Sequence, residues 1–507
     1  MHFGLSGLGR HVHEIGSTGR VDWMEAWDVV VVGAGTSALR AAIAVSDGGL
    51  SPLMIDGAGV GSASGTQPTS GIAASIGELD SSSHCDDTVS AGGDEVDRVS
   101  ASRICSESVA VLAELERWGL VLRRSPSGLP HSSKLPGHSV ARVSGCGDST
   151  LMEITHILEE QSIKRGIKRV SDLLPLNIVM DNGQVRGIVA LDVLSGDLRA
   201  IQAKAIILAT EGYQGLWTNP NDGDGVGSAL ALSAGVKLAG MGFVPRHSLT
   251  VRGCGIHIPL DVLGSGGRIR KENGDDVGPE DVIMGEPCIL DLRDLSKDSL
   301  MWFARSSSRV KERAGLDISK DVIPIVAGFA ETTGGIPCTE NGRAIVHQIS
   351  DDGSGSMWYT GLYAAGRSSN NGMHGSGLLP GNILLEDLVS GRSAGTDAAI
   401  WAGEADFGGS AQIEQAIGES LERIGKLKST DGLTVGEVTS KLTSLMESHC
   451  ADDGGQNESS TLAGIRGLVE SGIGLTDNSS NMNTELVSAI MLTNPALAAG
   501  VLASVIT

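Results

Sequence analysis

Apolar residues fall along this chain in short runs separated by glycine-rich turns. Residues 28–32 (DVVVV) form a β-branched run that ends at glycine, the pattern of a buried parallel strand. Residues 36–46 (TSALRAAIAVS) read as a helix whose small residues suit close packing, and 52–56 (PLMID) read as the next strand. Strand, glycine turn, helix and strand together predict a βαβ unit. Residues 57–100 read as loops with short helices, while 101–117 and 149–165 carry helical periodicity. Residues 174–206 alternate short apolar runs with turns at DNG (181–183) and SGD (195–197), which predicts a β-meander. It leads into a buried strand at 205–209 (AIILA), and 226–239 reads as a small-residue helix.

The character changes over 248–355, where polar turns (GSGG, ENGDD, SDDGSGS) interrupt short strands and one helix near 297–313. That stretch reads as an inserted domain. A strand returns at 358–366, a helix follows over 381–401, and 411–507 is mostly helical in pattern. The expected division is a tail (1–27), an α/β domain in two parts (28–247 and 358–405), an inserted domain (248–357) and a helical domain (406–507).

Composition narrows the function. The 507 residues carry 38 basic and 61 acidic side chains, a net charge of −23, which repels phosphate backbones and argues against nucleic-acid binding. Glycine is abundant, at 71 of 507 residues, as suits tight turns and close backbone approach to a ligand. The seven cysteines are widely spaced with no C-x-x-C pair, so neither a zinc site nor an iron–sulfur cluster is signalled, and a reducing cytoplasm suits them. Residues 1–20 hold Arg10, Glu14 and Arg20 and no apolar core, so no signal peptide is expected, and no apolar run is long enough to span a membrane.

The first strand ends in Gly33-Ala34-Gly35-Thr36-Ser37-Ala38, a G-x-G-x-x-A turn opening a helix. The glycines permit a tight turn and close approach to a pyrophosphate, and the helix start offers free N–H groups to it. Asp56 ends the second strand, placed to accept a ribose hydroxyl. Further clusters are Ala209-Thr210-Glu211-Gly212, Asp222-Gly223-Asp224-Gly225, and Gly361 to Gly366, with Gly381-Asn382 at a helix start. Glycine turns so far apart in sequence suit one long cofactor, FAD rather than NAD, crossing one sheet.

The chain resembles the flavoprotein subunit of succinate dehydrogenase and fumarate reductase, a family that includes L-aspartate oxidase. The resemblance is carried by VVVVGAGTSALRAAI (29–43), SGIAASIG (70–77), ILATEG (207–212), NDGDGVGSALALSAGVKL (221–238), FVPRHS (243–248), ETTGGIP (331–337), GLYAAG (361–366) and HGSGLLPGNILLEDLVSGRSAG (374–395), with MNTELVSAIMLTNPALAAGVLASVI (482–506) in the tail. It implies a Rossmann-like FAD-binding domain with a parallel sheet and β-meander, an inserted α+β capping domain over a dicarboxylate, and a C-terminal helical domain. It implies FAD contacts from Gly33, Gly35, Ser37, Ala38, Ser70, Gly71, Asp224, Gly366, Asn382 and Leu384. Ala34, Asp56, Ala209, Thr210, Gly212 and Arg367 complete the expected cofactor set. The N–H groups near Ile383 and Leu384 would face the flavin N1/O2 edge, where a helix dipole stabilises reduced flavin. An iron–sulfur partner subunit and a peripheral place on the inner face of a membrane are implied only by the resemblance.

Departures fall on the chemistry. Membrane-complex members link FAD to a histidine that aligns here near Ser64, and no histidine occurs between His13 and His84, so non-covalent FAD is expected. Leu263 stands where the resemblance puts an arginine of the proton-donating set, and Leu378 where it puts a clamping arginine. Glu331 precedes TTGGI where a histidine is expected, and Arg367 replaces a glutamate, whereas His247 keeps its counterpart. The expected catalytic set is His247, Arg268, Glu331 and His374. Arg268 lies beyond Leu263 and could substitute for the arginine, Glu331 could act as a base, and His374 would orient the loop or the flavin. His247 fits either a satisfied core histidine or a ligand for a small carboxylate substrate. The expected activity is hydride transfer between flavin N5 and a carboxylate-activated carbon–carbon bond. Amine oxidation of the L-aspartate oxidase kind, or a flavin-holding subunit without turnover, stand as alternatives.

Overall fold

A computed structural model describes residues 24–57, 71–76, 80–217, 223–347, 357–429, 431–450 and 458–492. The tail and the loop holding Ser64 and Ser70 lie outside these residues, as does Asp222. The first strand, β1 (Met24–Val32), enters helix α1 (Thr36–Asp47) through the predicted glycine turn and returns as β2 (Pro52–Ile55). Next come β3 (Ile72–Ala73), α2 (Asp80–Gly92), α3 (Arg98–Trp118), β4 (Val143–Ser144), α4 (Thr150–Lys164) and β5 (Lys168–Val170). The meander is β6 (Leu173–Asp181), β7 (Gln184–Asp192) and β8 (Leu198–Leu208), followed by α5 (Val226–Ser233).

Strands β5, β2, β1 and β8 pair in parallel, and β16 (Met357–Ala364) pairs in parallel with the end of β8. The first half of β8 pairs antiparallel with β7, and β7 with β6. One face of this sheet is covered by α1, α3, α4 and α10 (Asn382–Glu404), the other by α5. Val29 to Val32 are essentially inaccessible, each contributing roughly 1.5–3 kcal/mol by burial. Alanines 38, 41 and 42 of α1 and 394 and 398 of α10 share one core, the close helix crossing that small residues permit.

The inserted part carries an antiparallel sheet of order β11-β10-β12-β13-β9, made from β9 (Arg246–Val251), β10 (Arg268–Lys271), β11 (Asp276–Val277), β12 (Cys288–Asp291) and β13 (Ile323–Phe329). Short helices α6 (Asp261–Gly264), α7 (Pro279–Ile283), α8 (Lys297–Met301) and α9 (Ala304–Ala314) complete it, and it has its own apolar core. Beyond it, β14 (Ile336–Pro337) pairs with β17 (Ser369–Asn370). The strand β15 (Arg343–His347), which the sequence pattern put in the inserted part, pairs instead with β16 of the large sheet. The C-terminal helices are α11 (Ala411–Ser429), α12 (Val435–Cys450), α13 (Glu458–Ser471) and α14 (Thr484–Leu492). Helices α11 and α14 bury Ile413, Ile417, Leu486 and Ile490 against the meander, as a helical domain dependent on that surface should. No helix among the described residues is long and apolar enough to cross a membrane.

The end of β1 meets the end of β8 so closely that a Cβ on Gly33, whose φ is +125°, would lie 2.2 Å from the Ala209 carbonyl oxygen. Gly33→Ala is expected to force the two strands apart and cost on the order of 1–3 kcal/mol. A thermal midpoint unchanged from the parent would refute this.

Candidate functional site

Register fixes the site. Val32 is opposite both Ile55 and Leu208, and Leu208 is opposite Ala364. Ala209 N–H donates to the Val32 carbonyl at 2.9 Å, and Ala365 N–H to the Leu208 carbonyl at 2.9 Å. The turns after β1, β8 and β16 therefore open on one line at the carboxyl ends of parallel strands, where open α/β sheets bind ligands. Thr210 N–H donates to Ser368 Oγ at 2.8 Å, and Gly227 N–H donates to Thr210 Oγ1 at 3.0 Å, joining the second, third and fourth glycine clusters. Gly225 N–H donates to the Gly212 carbonyl at 3.0 Å. Asp224 is exposed and caps α5 by accepting from Val226 N–H at 3.0 Å.

A buried arginine sits on the same line. Arg367 is 6% exposed, with Nη1 at 2.9 Å from Glu211 and 3.2 Å from Glu331, and Nη2 at 3.8 Å from Asp387. Burial works against its charge, but Glu211, Glu331 and Asp387 outweigh burial and hold the guanidinium firmly protonated. Asp387 accepts from Thr36 Oγ1 at 2.7 Å, while its Oδ1 has no hydrogen-bond donor among the described residues. Burial pushes the Asp387 carboxyl up to about 7, against the pull of Arg367 and Thr36. Asp56, at the end of β2, lies 3.7 Å from Arg169 Nη2.

A second group lies at the start of α10. Gly381 is its N-cap, Ile383 and Leu384 are buried, and Ala73 N–H at the end of β3 donates to the Gly381 carbonyl at 3.1 Å. Gly71, just before β3, packs against the Ser144 carbonyl of β4. Asn382 turns away from the strand ends. Its Nδ2 donates to Thr88 Oγ1 at 2.9 Å, and its Oδ1 accepts from His84 Nε2 at 2.8 Å.

The expected catalytic residues are spread out. His247, on β9, donates from Nε2 to the Ile258 carbonyl at 2.8 Å and meets His257 edge-on at 5.4 Å between ring centroids. Burial lowers its pKa, so it is neutral near pH 7, with the Ile258 bond opposing weakly. Arg268 is exposed on β10, 3.8 Å from Asp276. His374 Nε2 stands 3.2 Å from Glu386 behind α10. Only Glu331 is joined to the strand-end cluster, through Arg367. Leu263 packs against the apolar core of the inserted part and Leu378 is half-buried. The inserted part instead presents Asp261 beside Leu263, buried, its carboxyl pushed up to about 8 by burial against the pull of Arg123. No group of three or more His, Cys, Asp or Glu among the described residues is arranged to hold a metal.

A family model described as an FAD binding domain matches residues 28–384. The chain belongs to this FAD-binding flavoprotein family. Within it, it is a divergent relative of the succinate dehydrogenase and fumarate reductase flavoproteins. It is 27% identical to the succinate dehydrogenase flavoprotein subunit of Rickettsia bellii, over 92% of this chain and 86% of that one. It is 28% identical to the fumarate reductase flavoprotein subunit of Escherichia coli, over 92% and 84%. The solved E. coli quinol fumarate reductase chain FrdA superposes with a TM-score of 0.85 at 27% identity, covering 94% of this chain and 88% of that chain.

FAD is therefore this flavoprotein's cofactor, and the residues present suit it. Three glycine turns and the starts of α1 and α10 supply backbone donors, Arg367 supplies a buried cation, and the Asp387 Oδ1 awaits a donor. Sequence reasoning named Glu211 and Glu331 but missed that they pair with Arg367, and it missed Asp387 and the side chains behind Asn382. A basic residue beside a glycine turn, in a chain of net charge −23, was the available signal for the first.

Arg367→Met removes the cation shared by Glu211, Glu331 and Asp387, and is expected to cost roughly 3–5 kcal/mol and to lower FAD retention. Denaturant unfolding and flavin content check both. Asp387 gives a pH signature. Its folded-state pKa is raised, so the folded protein holds the proton more tightly than the unfolded chain, whose carboxyl titrates near 3.9. Stability attributable to Asp387 falls as pH rises from about 4 to 7, at up to about 1.4 kcal/mol per unit. Asp387→Asn should flatten that part of the parent's profile, and parallel profiles would contradict the assignment.

Proposed function

We propose that this flavoprotein exchanges a hydride between FAD and a carbon–carbon bond activated by a carboxylate, in a substrate site altered from that of succinate and fumarate enzymes. When bound, FAD supplies the two-electron hydride chemistry at its N5. The chain's own residues then have separable tasks. Gly33, Ala34, Gly35, Ser37 and Ala38 bring a helix start to the pyrophosphate, and Ala209, Thr210, Gly212 and Gly366 close the second side. Arg367 offsets phosphate charge in an otherwise acidic site. The N–H groups of Ile383 and Leu384 face the flavin, while His247, neutral and fixed by Ile258, presents its other ring nitrogen from the capping domain.

The convergence of three separated glycine turns on one sheet edge, with α10 starting beside β3, carries this reading. The altered substrate site rests on Leu263 and Leu378, and on a Glu331 already engaged by Arg367. A dicarboxylate needs two cationic clamps and a proton donor. The same leucines support a second reading, a flavin-holding subunit that relays electrons to a partner without turnover of its own. The relatives are flavoprotein subunits, which supports an electron-transfer partner, and we place the chain in the cytoplasm. Adding candidate carboxylates without oxygen separates the readings, because bleaching of the flavin marks a substrate and none would bleach a scaffold. Hydrogen peroxide release with an amino acid would mark amine oxidation instead.

Acid precipitation should release all FAD into the supernatant, because Ser64 stands where a linking histidine would be. Flavin retained in the pellet would overturn non-covalent binding. Fumarate reduction by the parent should be negligible. Loss of one transition-state donor costs about 10²–10³ in rate, and more than one is missing. Reduced-dye oxidation with fumarate tests this, beside the double variant Leu263→Arg and Leu378→Arg. Parent turnover on the order of 10 per second would show that other residues had replaced the lost ones.

A further inference from the structure

Gly381 is held in a left-handed conformation, φ +89°, and from there α10 starts. Two buried histidines grip it from behind. His138 donates from Nε2 to the Pro380 carbonyl at 2.8 Å, and His84 donates from Nε2 to Asn382 Oδ1 at 2.8 Å. Between these contacts, Ala73 N–H donates to the Gly381 carbonyl at 3.1 Å. The turn is thus fixed at three consecutive residues.

Each imidazole has its tautomer set from its far side. Ser75 Oγ lies 3.1 Å from His84 Nδ1, and Arg142 Nη1 lies 2.9 Å from His138 Nδ1. An Nδ1 that accepts leaves Nε2 as the donor. Arg142, 1% exposed, is itself anchored by Asp80 at 2.9 Å and Asp87 at 2.5 Å, both on α2. Asn382 Nδ2 donates to Thr88 Oγ1, which donates to the His84 carbonyl at 2.8 Å, closing the ring of bonds. Burial pushes the His138 pKa down to about 4 and lowers that of His84, so both rings are neutral donors. Asn382 N–H donates back to the Leu379 carbonyl at 3.2 Å, and Gly381 supplies no side-chain cap, so the next N–H groups of α10, those of Ile383 and Leu384, stay available for a ligand.

We propose that His84 and His138 are positioning residues for the flavin, aiming the Ile383 and Leu384 N–H groups of α10 at its N1/O2 edge through Asn382 and Pro380. The inference rests on the reading that this edge lies at the start of α10. An aimed helix start favours the more anionic, reduced flavin, so loosening the turn lowers the flavin midpoint potential.

The experiment measures the two-electron potential and FAD affinity of the full chain loaded with FAD. His84→Leu should lose about tenfold of the preference for reduced over oxidised flavin, a shift of about 30 mV to more negative potential. His84→Gln, which keeps a donor within reach of Asn382, should recover most of it. If His84→Leu fails to retain FAD, Ser75→Ala, which removes only the hydroxyl seated on Nδ1, should shift the potential the same way by a smaller amount. A lowered melting temperature with unchanged potential in these variants overturns the proposal. Ile383→Pro separates the two layers, because it removes an N–H in the first helical turn, where proline is tolerated. If Ile383→Pro shifts the potential and the His84 and Ser75 variants do not, the histidines are only structural. If Ile383→Pro also leaves the potential unchanged, the placement of the flavin edge fails with the proposal.

Discussion

The parallel register of β1, β8 and β16 is the constraint from which the site follows. Side chains alternate along a strand, so a slip of one residue would turn the buried face of each strand outward. The apolar run of β1 is buried on both faces and fixes its own depth in the sheet. With Val32 opposite Leu208 and Leu208 opposite Ala364, three turns separated by well over a hundred residues of sequence open at one height. The backbone donors of a dinucleotide site are thus placed by core packing, before any polar side chain acts. The inserted domain can be long because it leaves after β8 and returns before β16, without disturbing the pairing between them.

Electrostatics works against this site, and the structure shows how the difficulty is managed. In the proposed site an anionic cofactor would sit in a chain of net charge −23, at strand ends that carry Glu211, Glu331, Asp387 and Asp56. A buried guanidinium is costly unless paired, and a lone buried carboxylate is no better. Arg367 and its carboxylates satisfy each other, and Asp387, with its raised pKa, lightens the negative charge at neutral pH. A cofactor diphosphate bound as proposed would compete with these carboxylates for one cation. Affinity then depends on backbone donors, which no titration removes, more than on net charge.

The features legible in the sequence were those set by local chemistry. The glycine turn after β1, the meander and the helix at α10 each follow from periodicity and turn residues close in sequence. The small helices of the inserted part and the pairing of β15 with β16 were not legible, because a short strand shows its face but not its partner. Side-chain roles were least accessible. The resemblance gave Asn382 a cofactor contact, yet its amide is engaged by His84 and Thr88, residues nearly three hundred positions away. Arg268 looked available from its place after Leu263, but β10 lies beside the edge of its sheet and carries it outward, towards Asp276. Sequence spacing places a residue on a strand. Which face that strand buries depends on a partner that spacing does not name.

The division of labour between the domains bears on what the protein can do. The strand-end turns are positioned through backbone atoms, which tolerate wide sequence change, and the chain is only 27–28% identical to these relatives. In the function proposed above, substrate recognition would rest on side chains of the inserted part, which a single substitution can remove. There the structure offers neutral groups: a leucine at 263, a neutral His247, and an Asp261 carboxyl pushed up to about 8. At neutral pH such a set offers donors of hydrogen bonds without strong positive charge. A substrate bound through it would present fewer negative charges than a dicarboxylate, or bring its own counter-charge, because desolvating two carboxylates against neutral partners is not repaid. On the proposed reading, cofactor retention and substrate choice are under separate physical control, so one can diverge while the other is kept.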